Sequence, residues 1–197
     1  MDAHLERRSQ RYDVVKNTKS FNLHLKGLAV IELCPSEVCT RKCGFCPRGD
    51  ETVYGNKQKF MSLDTVENIA SKCAEAKYDG DFHISGFGEP LLHAQIDKMI
   101  RILKSKLPNR VTLTTNGDLL SAKIIEKLFN NGLDYLIISC YDDQKAYDDL
   151  LFLIQEAKIE PSHYEIRQLW LQPNETTDRK STRLNSSHVS ESRMPSS

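Results

Sequence analysis

The chain has 197 residues, enough for one domain with a real core and too few for two large ones. Its 27 basic and 27 acidic residues cancel, which excludes the basic excess of a general nucleic-acid or membrane-surface protein. No apolar run approaches the roughly 18 residues of a membrane span, and the N-terminus has no apolar signal core. A cytoplasmic protein with neither membrane nor nucleic acid as partner is expected.

Residues 1–26 are polar and mixed and read as a leader. Leu28–Leu33 is a short apolar run with β-branched residues and reads as a buried strand. Ser62 is placed to N-cap a helix whose apolar face carries Leu63, Val66, Ile69, Ala70, Cys73 and Ala76. Asp81–Ser85 is strand-like and runs into Gly86-Phe-Gly-Glu-Pro90. Ile96–Leu107 reads as a second amphipathic helix, stopped by Pro108. Arg110–Thr115 is a third strand, broken at Asn116-Gly117. Ser121–Asn130 is a helix closed by Asn131-Gly132. Asp134–Cys140 is the most apolar strand, Lys145–Lys158 is helical, and Tyr164–Leu171 is strand-like again.

Five strands alternating with four helices mean β/α units on a parallel sheet. In such folds the working residues sit on the loops past the C-terminal strand ends. Every unusual cluster falls there: the cysteines after strand one, Gly-Phe-Gly-Glu-Pro after strand two, Thr-Thr-Asn-Gly after strand three, and Ser139-Cys140 at the end of strand four. One site on one face is expected.

Four of the six cysteines crowd between Cys34 and Cys46, and in an intracellular chain such clusters are more often metal ligands than disulfides. Cys39, Cys43 and Cys46 share one short loop. Three thiolates leave one iron of an iron–sulfur cluster open to a substrate or cofactor. The same loop would also suit zinc with a distant fourth ligand, such as Cys34 or a histidine. Cys34 is expected as a buried strand cysteine and Cys73 as core. Cys140 fits either the site or the core. Arg41 and Lys42 read as solvated, His83 and His93 as structural, and Asp142-Asp143 as a turn and helix start.

Cys39-x-x-x-Cys43-x-Phe45-Cys46 after a first strand resembles the defining loop of the radical S-adenosylmethionine (SAM) superfamily. Gly86-Phe-Gly-Glu-Pro90 resembles its Gly-Gly-Glu-Pro motif, with Phe87 splitting the glycine pair. Thr114-Thr-Asn-Gly117 and Ile138-Ser139 resemble the next two signatures, in order. The resemblance spans roughly Leu28 to Trp170 and selects the cluster over zinc. It implies a partial (β/α)6 TIM-like barrel, incomplete at about five strands, and a 4Fe–4S cluster on Cys39, Cys43 and Cys46. SAM would be held through its amino group by Gly88 and Glu89, and through its adenine by Phe45. Asn116 and Ser139 match the region of ribose and carboxylate contacts, and Arg167 suits the SAM carboxylate.

The implied chemistry is reductive cleavage of SAM to a 5′-deoxyadenosyl radical, which takes hydrogen from an unknown peptide or small molecule. The implied electron donor is a flavodoxin or ferredoxin. Arg48 and the Ser-Cys-Tyr-Asp stretch resemble members that carry a C-terminal SPASM-like auxiliary-cluster domain. A glycyl-radical-activating enzyme and a non-enzymatic iron–sulfur electron carrier are the alternatives, and a carrier has no use for Glu89, Asn116 or Ser139.

Residues 178–197 stand apart. Asp178–His188 and Ser192–Ser197 are legal translations of two parts of a common sequencing adaptor, in one frame and in the right order. The expectation is an adaptor-derived tail that packs against nothing, following a radical SAM core over residues 27–177 that is cut near Thr177. Codons read from the source gene decide this.

Overall fold

The computed structural model describes Leu25 and residues 27–170. The expected leader, apart from Leu25, and the expected tail lie outside the described residues.

Five strands form one parallel sheet whose spatial order follows the chain: β1 (Val30–Leu33), β2 (Asp81–Ile84), β3 (Val111–Thr115), β4 (Tyr135–Cys140) and β5 (Tyr164–Gln168). Four helices are the crossovers that parallel strands require: α2 (Leu63–Glu75), α3 (Ile96–Lys106), α4 (Ala122–Asn130) and α5 (Gln144–Glu156). The sheet does not close on itself. The parallel sheet is the one expected from the alternation, and the incomplete α/β barrel is the one that the resemblance implied.

The helix starts follow local rules. Ser62 Oγ accepts from the Thr65 N–H at 3.1 Å, Ser121 Oγ from Ile124 N–H at 3.3 Å, and Asp143 Oδ1 from Ala146 N–H at 2.8 Å. Each such cap contributes about 1 kcal/mol. Helix α4 ends where Gly132 adopts φ +99°, with its N–H donating to Phe129 O and that of Leu133 to Leu128 O. That left-handed residue favours glycine, as the Asn-Gly pair implied.

Strand register gives the sheet two unlike faces. One row, Leu33–Ile84–Leu113–Leu136, is at most 4 % exposed and packs with Phe82, Val111 and Ile138 into the core beneath the helices. The opposite face carries Glu32, His83, Thr112 and Tyr135 in one row, with Thr114, Ile137 and Glu165, then Ser139 and Arg167, nearer the C-terminal ends. This polar inner face is where a barrel would enclose its contents.

Two features depart from the sequence reading. A 3-10 turn (Pro47–Gly49) and a four-residue helix α1 (Glu51–Tyr54), capped by Asp50, follow the cysteine loop. A single turn of helix is too short to show the 3.6-residue periodicity that marks longer ones. Cys34 is exposed rather than buried. It lies one residue past β1 and alternates with Glu32 onto the open polar side.

Candidate active site

The loops past β1, β2, β3 and β4 enclose one cavity of about 340 Å³, within the range of small-ligand sites, roughly 300–1,000 Å³. Cys39, Cys43 and Cys46 line it, together with Phe45, Gly88, Glu89, Asn116 and Ser139. Eight of the nine residues singled out from the sequence therefore meet at one place. The ninth, Arg167, does not line the cavity: its Nε and Nη2 donate to the Glu165 carboxylate at 3.0 and 3.2 Å. Two residues apart on one strand, the pair shares a face and satisfies itself.

The three thiols suit an iron–sulfur cluster. Burial, then the negative charge of Cys39 and Cys46, pushes the Cys43 thiol up, so a cationic iron core would relieve the crowding of three thiolates. The Cys39 sulfur already accepts from the Arg41 N–H at 3.5 Å and from Asn116 Nδ2 at 3.7 Å, the kind of bond that tunes cluster potentials. Among the described residues no three His, Cys, Asp or Glu side chains are gathered as they would be around a single ion.

Glu89 is 2 % exposed and ties the site together. Its Oε1 accepts from Thr115 Oγ1 at 2.6 Å and Leu91 N–H at 3.1 Å, and its Oε2 from Asn116 N–H at 2.9 Å. Burial pushes its carboxyl up against those three bonds. Three of about four acceptor positions are used, which leaves one for an incoming cation. Gly88 admits no side chain, because a Cβ there would lie 1.8 Å from Ser36 O. Gly86 sits at φ +112°, with Cys34 Sγ 2.6 Å from where its Cβ would be. Phe87, the residue that splits the glycine pair, is 57 % exposed, lines the cavity, and meets the Tyr54 ring edge-on.

Several participants were not foreseen. Tyr141 lines the cavity together with Ser139, its ring 5.7 Å from that of Phe45. Burial raises the Tyr141 phenol. Arg41 is no solvated loop arginine: it pairs with Asp118 beyond β3 and Asp142 beyond β4, and these bonds raise its guanidinium well above the ordinary arginine value. Asn56 accepts the Cys39 N–H at 3.0 Å and donates back to the Cys39 carbonyl at 3.2 Å. Cys140, which the sequence left open between site and core, is 2 % exposed and is not among the residues that line the cavity.

A parallel α/β sheet with three cysteines and a buried glutamate converging past its C-terminal ends defines a cluster-dependent enzyme core. The profile of the Radical SAM superfamily matches residues 33–151, and the chain belongs to that superfamily, whose members use a 4Fe–4S cluster and SAM. It is 32% identical over 106 residues to a GTP 3′,8-cyclase of Clostridium perfringens, covering 53% of this chain and 32% of that protein. It is 35% identical over 102 residues to a probable GTP 3′,8-cyclase of Methanococcus maripaludis, covering 51% and 32%. The chain spans about a third of the length of these relatives. In fold it is similar to BtrN in complex with AdoMet and 2-DOIA, with a TM-score of 0.58 at 20% identity over 70% of this chain and 55% of that one. It is also similar to anSMEcpe with bound AdoMet, with a TM-score of 0.54 at 18% identity over 70% and 42%. No described helix is long and apolar enough to cross a membrane.

Proposed function

We propose that this chain is the catalytic core of a radical SAM enzyme acting on a polar small molecule. Cys39, Cys43 and Cys46 hold the 4Fe–4S cluster. Gly88 and Glu89 receive the amino group of SAM, Phe45 and Tyr141 flank its adenine, and Asn116 and Ser139 face its ribose and carboxylate. When bound there, cluster and SAM would supply the radical chemistry that abstracts hydrogen from a substrate. The protein's part is to hold SAM in one orientation, to exclude water, and to present the substrate from the inner face of the sheet. The observation that carries this reading is the convergence of the three thiols, Glu89 and Asn116 on one cavity.

Arg167 is left out of the SAM contacts because Glu165 occupies its guanidinium. The polar inner face, with Glu32 beside His83 and with Thr114 and Glu165 on either side of Ile137 in a second row, supports a substrate rich in hydrogen-bonding groups. His83 Nε2 and Thr114 Oγ1 already lie 2.8 Å apart there. A purine nucleotide is the second reading, favoured by the relatives named GTP 3′,8-cyclase.

The test is release of 5′-deoxyadenosine from SAM by the anaerobically reconstituted, dithionite-reduced protein. Adding GTP should speed release if the nucleotide reading holds. Release that requires a different added polar metabolite supports the first reading. No release with an intact cluster counts against both.

A further inference from the structure

The segment just after the cluster loop is built around a buried cation. Arg48 is 3 % exposed, and its Nε donates to the Phe87 carbonyl in the Gly86–Pro90 turn. Its Nη1 donates to Asn56 Oδ1 at 3.1 Å and more weakly to Gly55 O at 3.4 Å. Its plane lies 4.6 Å over the Tyr54 ring, and Tyr54 meets the Phe87 ring edge-on at 5.9 Å. Nη2 has no partner among the described residues, and an orphaned buried donor is a cost to the fold that asks for a function elsewhere in the group. Asn56, on the same node, grips Cys39 by both its N–H and its carbonyl.

The connectivity of these bonds is informative. Arg48 follows Cys46 by two residues, Asn56 holds Cys39, and Phe87 precedes Gly88 and Glu89. One node therefore fixes both ends of the cysteine loop and the turn opposite it. We propose that Arg48 and Asn56 are positioning residues that register the cluster loop against the Gly86–Pro90 turn, setting the gap that one SAM molecule must bridge. Phe87 then has a purpose: its ring closes the node through Tyr54 where a glycine would leave it open.

A ligand held at both ends loses affinity when the two ends lose their spacing, while the cluster, held by the loop alone, keeps its iron. This separates the proposal from the ligand assignment it rests on. If Cys39 is not a ligand, Cys39→Ala keeps its iron, whatever Asn56 does.

The experiment is a SAM titration of anaerobically reconstituted full-length chain, read by the change in the EPR signal of the reduced cluster and normalised to iron content. Asn56 is exposed, so Asn56→Ala opens no cavity. Asn56→Ala and Arg48→Lys should each retain about four irons and bind SAM about tenfold more weakly. Asn56→Asp keeps the acceptor oxygen for Cys39 and Arg48 and should recover most of that affinity. Wild-type affinity in Asn56→Ala at full iron loading overturns the proposal. So does loss of iron from that variant, because the pair would then be holding the cluster rather than registering it.

Discussion

The main-chain N–H of Asn116 donates to Glu89 Oε2 at 2.9 Å, so the first residue past β3 is bonded to the turn past β2. Neither loop takes its position alone. The bond joins two groups that the sequence analysis assigned separately to one cofactor. Glu89→Ala should retain the iron but weaken SAM binding by roughly 1–3 kcal/mol, the cost of leaving a buried ammonium without its acceptor. Unchanged SAM affinity in that variant would remove Glu89 from the site.

The same carboxyl predicts a pH dependence. Burial raises it above the ordinary glutamate value of 4.5, so the folded chain binds this proton more tightly than the unfolded chain. Its contribution to stability is complete below pH 4.5 and is lost as pH rises through the folded value. Without SAM, wild-type protein should lose stability relative to the non-titrating Glu89→Gln as pH rises from 4.5, by at most about 1.4 kcal/mol per pH unit. Urea unfolding at a series of pH values checks this. A wild type that gains on the variant over the same window contradicts it.

Iron content tests the ligands. Cys39→Ala, Cys43→Ala and Cys46→Ala should each abolish the reconstituted 4Fe–4S cluster, and Cys34→Ala should leave it. Cys34 lies in contact range of Gly86 and does not line the cavity. If Cys34→Ala lost the cluster while Cys39→Ala kept it, the assignment of ligands would be wrong.

At Gly88 the backbone is pinned. Because a Cβ would lie 1.8 Å from a main-chain oxygen, Gly88→Ala must displace either the turn or the Ser36 segment. The expected cost is about 3 kcal/mol, the upper range for overpacking, measured as a lowered urea midpoint at unchanged slope.

Arg41 provides a coupling measurement. Its pairing with Asp118 is partly exposed, with side-chain accessibilities of 23% and 25%. A double-mutant cycle of Arg41→Met with Asp118→Asn should give a coupling on the order of 1 kcal/mol. Additive effects of the two changes would show that the cluster loop is not held through this pair.

What the sequence made legible was short-range. Ser62 and Ser121 announce their helices because a cap depends on residues three positions away. The Asn131-Gly132 ending needs only a left-handed glycine. The cysteine loop and the Gly-Phe-Gly-Glu-Pro turn were readable because their chemistry is concentrated in a few adjacent residues. Arg41, Asn56 and Tyr141 were not, since each owes its place to partners that only the folded sheet brings near, such as Asp118, Cys39 and Phe45. Arg167 shows the limit of choosing a residue by its chemistry. The guanidinium suits a carboxylate, and Glu165, two positions earlier on the same strand, provides one.

The order β1 to β5 in space is also the order of synthesis. The cavity wall begins at Cys39 and is completed by Tyr141, and at ribosomal speeds of about 5–20 residues per second these are separated by roughly 5–20 s. During that interval the nascent chain displays its cysteines on a loop whose opposite walls do not yet exist. Iron delivered early would meet thiols open to oxygen and to competing metals. A complete cavity around the cysteine loop therefore requires the chain through Tyr141, one residue past the fourth strand.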